Sequence, residues 1–209
     1  MTFFYKELDL PAIPDELLNE LPTTSFGGFT DLGYGYQHYK NGNKIYPCSY
    51  KWGRIDSGTL FNWLIENIQP IQAHLTNSNA DVPNVFMHTT TPRHASGGAH
   101  IVHSDFKRIV ALNYHWSLGG DAVSNRWYKE NGKPLLRKKA RPGGQVDSGQ
   151  VKYDDLEILE EVIIKKNRWY LINVDCLHDV QNIISIRQGI TVPFATKNEL
   201  DHAGFKEHP

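Results

Sequence analysis

The chain lacks most of what would mark it as secreted, membrane-spanning or nucleic-acid-binding. Only two of its 209 residues are cysteine, Cys48 and Cys176, so it is not a disulfide scaffold. It has no run of about 18 apolar residues and therefore no transmembrane helix. The opening Met1-Thr2-Phe3-Phe4-Tyr5-Lys6-Glu7 lacks the basic start, apolar centre and small-residue cleavage site of a signal peptide. A cytoplasmic location is the expectation. The formal net charge of −1 gives no pull toward nucleic acid or a membrane surface. The one basic run, Arg137-Lys138-Lys139-Ala140-Arg141, is too short and isolated to form a nucleic-acid footprint. P-loop, G-x-G-x-x-G, G-x-S-x-G and C-x-x-C patterns are all missing, which removes the usual support for nucleotide, dinucleotide, serine-hydrolase and thiol-redox chemistry. There is no internal repeat and no low-complexity tract.

What is present divides the chain in two. The length suits one domain. Residues 1–80 form a helix-containing N-terminal part. Pro14-Asp15-Glu16 opens a short helix through Leu17, Leu18 and Leu21. A second helix starts near Asp56 or Ser57 and carries Leu60, Phe61, Leu64, Ile65 and Ile68 at helical spacing until Pro70 stops it. Between them Tyr34–Tyr39 and Ile45–Tyr50 read as strands around an Asn41-Gly42-Asn43 turn. From Pro83 the segments 84–89, 100–103, 108–116, 125–129, 156–165, 169–174 and 186–194 are short, rich in Val, Ile and aromatics, and punctuated by turn residues. This predicts a mainly β core over 83–194, a sandwich or barrel. Residues 195–209, with His202 and His208, have the composition of a disordered polar tail. The stretch 130–155 is long, polar and turn-rich; it reads as a solvated loop or as a lid that grips substrate.

The chemistry concentrates in His103-Ser104-Asp105, followed by His178 and then Arg187. Residues i and i+2 of a strand point to one side, so His103 and Asp105 share a face. With His178 they make two imidazoles and a carboxylate, a set that grips one face of a divalent metal and leaves positions open, as in non-heme Fe(II) oxygenases. Arg187 falls on one face of a final strand with Gly189 and Thr191. An inward arginine is costly unless it meets an anion, and its planar fork suits a carboxylate. Each residue also has a plain reading: a core histidine, a turn aspartate, an ordinary ion pair. Alternation puts His100 on the face opposite His103. Arg93 and His94, in a loop before the metal strand, and His115 are either structural or substrate-facing. Asp179 and Asn182 stand where they would orient the imidazoles.

The segments His100–Asp105, Leu112-Asn113, Arg126-Trp127-Tyr128, Tyr170–Asn173 and His178–Asn182 through Arg187 resemble the Fe(II)/2-oxoglutarate-dependent oxygenase superfamily, most closely its aspartyl/asparaginyl hydroxylase-like and phytanoyl-hydroxylase-like branches. The resemblance covers residues 83–194. It implies a double-stranded β-helix (jelly roll, cupin-like) with the N-terminal helices packed on it. It implies Fe(II) held by His103, Asp105 and His178, and 2-oxoglutarate as cosubstrate with its distal carboxylate on Arg187. Asn113 and Tyr128 are weaker candidates for further cosubstrate contacts, with a purely structural role as the alternative for each. The superfamily often has Ser or Thr two residues past the arginine; this chain has Gly189, and Thr191 is the hydroxyl available on that face. The activity implied is hydroxylation of a C–H bond in an amino acid, peptidyl side chain or small metabolite, using O2 and releasing succinate and CO2. Two other readings fit the same residues: a cupin-like metal enzyme that does not use 2-oxoglutarate, and a jelly-roll binding module with a vestigial metal site.

Overall fold

The computed structural model describes residues 3–19, 28–30, 38–78, 85–105, 107–131, 145–147 and 153–205. In chain order, strand β1 (Tyr5–Leu8) and helix α1 (Asp15–Asn19) come first. Strands β2 (Gly28–Thr30), β3 (His38–Lys40), β4 (Asn43–Ile45) and β5 (Ser49–Arg54) precede helices α2 (Thr59–Asn67) and α3 (Gln69–Asn77). Then follow β6 (Phe86–Thr91), β7 (Gly98–Asp105), β8 (Val110–Leu118), β9 (Ser124–Glu130), β10 (Gln145–Asp147), β11 (Leu156–Val162), β12 (Trp169–Asn173), β13 (Leu177–Ile183) and β14 (Arg187–Phe194). Helix α4 (Lys197–His202) comes last.

The major sheet runs β1-β12-β8-β14-β6-β5-β2 and the minor sheet β10-β7-β13-β9-β11. Successive strands from β6 to β9 alternate between the two sheets, and so do those from β11 to β14. The core strands pair antiparallel throughout. The core is a double-stranded β-helix, as expected.

The largest apolar cluster lies outside the barrel. Leu60 and Leu64 of α2, with Ile68 and Ile71, pack on Leu112 and Tyr114 of β8, Trp169 and Leu171 of β12, and Ile190, Val192 and Phe194 of β14. Ile13, Leu17, Leu200 and Ala203 join the same cluster, so both ends of the chain are tied to the back of the major sheet. The Tyr114 hydroxyl accepts from the Ile13 N–H at 3.2 Å, and Trp169 donates to the Pro11 carbonyl at 2.9 Å.

Three expectations are corrected here. Pro70 does not end the helical region. It sits in the first turn of α3, where a missing N–H leaves nothing unpaired, and so opens a further helix. The N-terminal part also adds strands to the core: β1, β2 and β5 widen the major sheet at both edges. Residues 195–205 form an ordered end, not a loose tail. Thr196 and Glu199 make a reciprocal capping box, and Leu200 is 1% exposed. Strand β13, which holds His178, was not among the segments expected to be strands. The hairpin is present, with β3 pairing β4 around Asn41 and Gly42, both at positive φ, as the tight turn between twisted strands requires. Pro47 and Cys48 separate β4 from β5, which splits the expected strand 45–50; Tyr34–Gln37 lie outside the described residues. No helix among the described residues is long and apolar enough to cross a membrane.

Candidate metal centre

The end of β7 and the start of β13 are paired, with His103 directly opposite His178. Asp105 follows His103 by two residues on the same face. Ligand atoms from His103, Asp105 and His178 all lie within 4.8 Å of one another, and His103 Nε2 stands 3.6 Å from Asp105 Oδ1. His103 is buried, while Asp105 and His178 are half-buried, so the group has an accessible side.

Both imidazoles are already oriented for a metal. His103 Nδ1 lies 2.7 Å from the Ile101 carbonyl, and His178 Nδ1 lies 2.9 Å from the Cys176 carbonyl. A carbonyl oxygen only accepts, so each Nδ1 carries the proton and each Nε2 turns its lone pair inward. These anchors are main-chain carbonyls, not Asp179 or Asn182. Asn182 donates to the Ala122 carbonyl instead. Burial and the neighbouring His103 pull the His178 pKa down to about 4, which keeps it neutral near pH 7. Asp105 is fixed at both ends: its N–H donates to the Val174 carbonyl, and its Oδ2 lies 3.5 Å from Arg108 Nη1.

His100 is on the same side as His103, contrary to simple alternation. Between the pairs His103–His178 and His100–Val180, β7 carries one residue more than β13. This bulge turns the His100 ring back over His103, at 4.5 Å between centroids.

On the facing wall, β14 brings Arg187 inward. It is 4% exposed, its Nε has no hydrogen-bond partner, and no carboxylate pairs with it among the described residues. Burial lowers its pKa to about 10. His88, His115 and Tyr50 surround this region: His88 and His115 flank Gly189 in the sheet, and Tyr50 of β5 stacks on His88 at 5.7 Å and tilts toward His100 at 5.2 Å. Desolvation pushes the Tyr50 hydroxyl up to about 12; Arg108 and Arg187 act to lower it and Asp105 to raise it.

The other expected contacts fall in different places. Thr191 is four residues from Arg187, roughly 13 Å along a strand, and pairs with Phe86 and Asn113. Asn113 sits beside it, half-buried, with Oδ1 unpartnered. Tyr128 turns to the outer side of the minor sheet, packed with Val102, Tyr153, Leu156 and Leu177, and donates to Asp179 Oδ2 at 3.0 Å. Asp179 also accepts from Gln181, and burial raises its pKa to about 7. Trp127, opposite His178, is the aromatic of β9 that enters the barrel. His94 stacks on Tyr46 at 4.0 Å and bonds Ser96, away from the triad. Of the stretch 130–155, β10 lies along the free edge of β7, with Gln145 opposite Asp105 and Asp147 opposite His103.

Tyr50, His88 and Arg108 were missed. Arg108 is three residues past Asp105, a usable signal; Tyr50 and His88 depend on sheet pairing between distant segments, which no local pattern gives.

No protein-family model matches the chain, and no curated protein matches it. Among solved structures it is similar to a Pseudomonas putida prolyl-4-hydroxylase, at 13% identity and TM-score 0.40, covering 73% of this chain and 71% of that one. It is also similar to a 2OG-Fe(II) oxygenase family oxidoreductase from Burkholderia pseudomallei, at 8% identity and TM-score 0.43, covering 87% and 76%. Strand order and site geometry, not these likenesses, carry the assignment that follows.

Proposed function

We propose that the protein is a non-heme Fe(II)- and 2-oxoglutarate-dependent dioxygenase of the superfamily its motifs resemble. It hydroxylates a C–H bond of an amino acid, peptidyl side chain or small metabolite and releases succinate and CO2. One observation carries this reading: a buried Arg187, with no carboxylate partner among the described residues, in the same barrel as a His/Asp/His cluster whose imidazoles both present Nε2. A metal site alone explains the cluster, and an anion alone explains the arginine. A 2-oxo dicarboxylic acid that chelates the metal explains both.

The donor set fits iron. Two neutral imidazoles and one carboxylate form the facial arrangement that leaves positions free, and the carbonyl anchors on both Nδ1 atoms are the outer contacts such ligands need. His103, Asp105 and His178 would hold Fe(II), which when bound couples decarboxylation of the 2-oxo acid to oxidation of the substrate by O2. Arg108 orients Asp105 and balances its charge. Arg187 takes the distal carboxylate, while Asn113 and Thr191 sit side by side further along the same sheet. Trp127, Tyr170 and Ile172 close one side of the barrel and keep water out. Tyr128 braces Asp179 behind β13. The described part of the 130–155 stretch lies on the metal strand, which favours the lid role over a purely solvated loop.

The test is spectroscopic. Fe(II) and 2-oxoglutarate added without oxygen give a weak visible charge-transfer band in the intact protein. Asp105→Ala and His178→Ala abolish metal uptake and the band together, while Arg187→Ala keeps the metal and loses the cosubstrate. A metal spectrum indifferent to 2-oxoglutarate overturns the reading in favour of a metal enzyme that does not use it. Failure to take up stoichiometric iron favours a binding module. Succinate release over a panel of amino acids and peptides then finds the substrate.

A further inference from the structure

Two buried imidazoles stand where the last core strand has no side chain. Gly189 lies two residues past Arg187 and pairs with His88 of β6 on one side and His115 of β8 on the other. A Cβ at 189 would come within 2.6 Å of His115 Cδ2, 3.0 Å of His88 Nε2 and 2.5 Å of the Tyr114 carbonyl oxygen. The two rings, 5.1 Å apart and edge to face, fill that space. They are 4% and 1% exposed.

Among the described residues, His88 Nδ1, both nitrogens of His115, Arg187 Nε and Thr90 Oγ1 are buried without hydrogen-bond partners, and Thr90 is the sheet neighbour of Arg187. Buried polar groups are normally paired, so orphans gathered from three adjacent strands mark a place for a ligand. Burial and the Arg187 charge hold both imidazoles far below the ordinary histidine range, His88 at about 3, so each is neutral and has one N–H to give. One guanidinium and two neutral donors suit a single negative charge with several lone pairs. A carboxylate has that charge and about four lone-pair sites, two for the arginine fork and the rest for the imidazoles. A dianion would keep an uncompensated buried charge.

We infer that His88 and His115 complete the carboxylate end of the site with Arg187, donating imidazole N–H groups to the distal carboxylate of the 2-oxo acid where a side chain at 189 would otherwise reach. This rests on the cosubstrate reading above. Both are positioning residues and touch none of the reacting atoms.

The experiment uses the full chain loaded with Co(II), titrated calorimetrically with 2-oxoglutarate and with 2-oxopentanoate, which keeps the 2-oxo acid head but has no distal carboxylate. His88→Leu and His115→Leu each weaken 2-oxoglutarate about 10- to 100-fold, the worth of a hydrogen bond to a charged group. They leave 2-oxopentanoate affinity and the Co(II) spectrum unchanged. His88→Gln and His115→Gln, which keep an N–H donor, recover much of the loss. In wild-type protein loaded with Zn(II), the imidazole N–H signals of both residues gain exchange protection with 2-oxoglutarate and not with 2-oxopentanoate. This readout needs no folded variant. Equal weakening of both ligands, no weakening of either, or no protection overturns the imidazole role while leaving the cosubstrate reading intact. Failure of 2-oxoglutarate to bind the wild-type Co(II) protein overturns the cosubstrate reading itself.

Discussion

Replacing Arg187 with methionine separates a cation that waits for a ligand from one that holds the fold together. Burial pulls the Arg187 pKa from 12.5 to about 10. At about 1.4 kcal/mol per pH unit, keeping it charged inside the barrel costs the ligand-free fold roughly 3 kcal/mol. The sign is fixed: a base depressed on folding destabilises the folded state below its folded pKa, so the full cost applies at pH 7. Methionine removes the charge and keeps most of the apolar stem. After allowance for lost contacts of the guanidinium plane, the variant gains about 1–2 kcal/mol. One kcal/mol moves Tm by about 2–4 °C in a chain of this size, so Arg187→Met melts on the order of 4 °C above wild type without cosubstrate. With 2-oxoglutarate at a hundred times its Kd, wild type gains about 2.7 kcal/mol and the variant gains nothing, so the difference narrows or reverses. Calorimetric melts of the Zn(II)-loaded proteins, with and without 2-oxoglutarate, read this directly. A variant that melts several degrees below wild type in the absence of cosubstrate refutes the argument, because the arginine would then be a structural partner.

Acid should unfold the metal-free protein steeply. His74, His88, His100, His115 and His178 all have pKa values lowered by burial, His88 to about 3 and His178 to about 4. Stability is therefore full above the unfolded value near 6.5 and falls as pH drops toward 4, and Asp179, raised to about 7, offsets one of these protons. Urea titrations should show little loss from pH 7.5 to 6.5 and then a loss of several kcal/mol per pH unit, as an order of magnitude, from about pH 6 to 4.5; a flat profile contradicts the burial of these rings. Gly189→Ala forces a Cβ to 2.5 Å from the Tyr114 carbonyl and should cost about 1–3 kcal/mol in a thermal melt; a neutral result means the strand is looser than described. Tyr128→Phe strips a buried donor from Asp179 and should cost about 1.5–3 kcal/mol while 2-oxoglutarate affinity stays at the wild-type value; a selective loss of affinity would restore Tyr128 as a cosubstrate contact. Because one apolar cluster joins α1, α2, α3 and α4 to the major sheet, we expect a single folding unit with coincident unfolding by tryptophan fluorescence and far-UV dichroism.

The parts legible in the sequence were those with a local cause. Strand periodicity and turn residues identified seven of the eight core strands in outline, and i, i+2 spacing put His103 beside Asp105. The Asn41-Gly42 turn specified its hairpin through two positive-φ positions. What was not legible came from pairing at a distance. Strand β13 was hidden because its burial does not alternate cleanly and two register shifts interrupt its ladder with β7. One of those shifts carries His100 to the side of the His103, Asp105 and His178 cluster. Pro70 was misread because a helix stop and a helix start have the same composition, and only the packing of Ile68 and Ile71 against the sheet decides between them.

The placement of the apolar core explains why so polar an interior is tolerated. Much of the burial that stabilises the fold lies behind the major sheet, where Leu64, Ile68, Ile71, Trp169, Ile190 and Phe194 are essentially inaccessible. Inside the barrel, apolar side chains close two flanks, one around Trp127 and Ile172, the other around Val123, Val180 and Ile183. The space between holds the triad, His88, His100, His115 and Arg187. Each orphaned donor there costs about 1–3 kcal/mol if left dry, a sum comparable with the whole stability of a domain. Such an interior persists only if something polar completes it. A metal satisfies the triad and a carboxylate satisfies the arginine and its imidazoles, so the ligand-free fold should gain more from adding both together than from either alone.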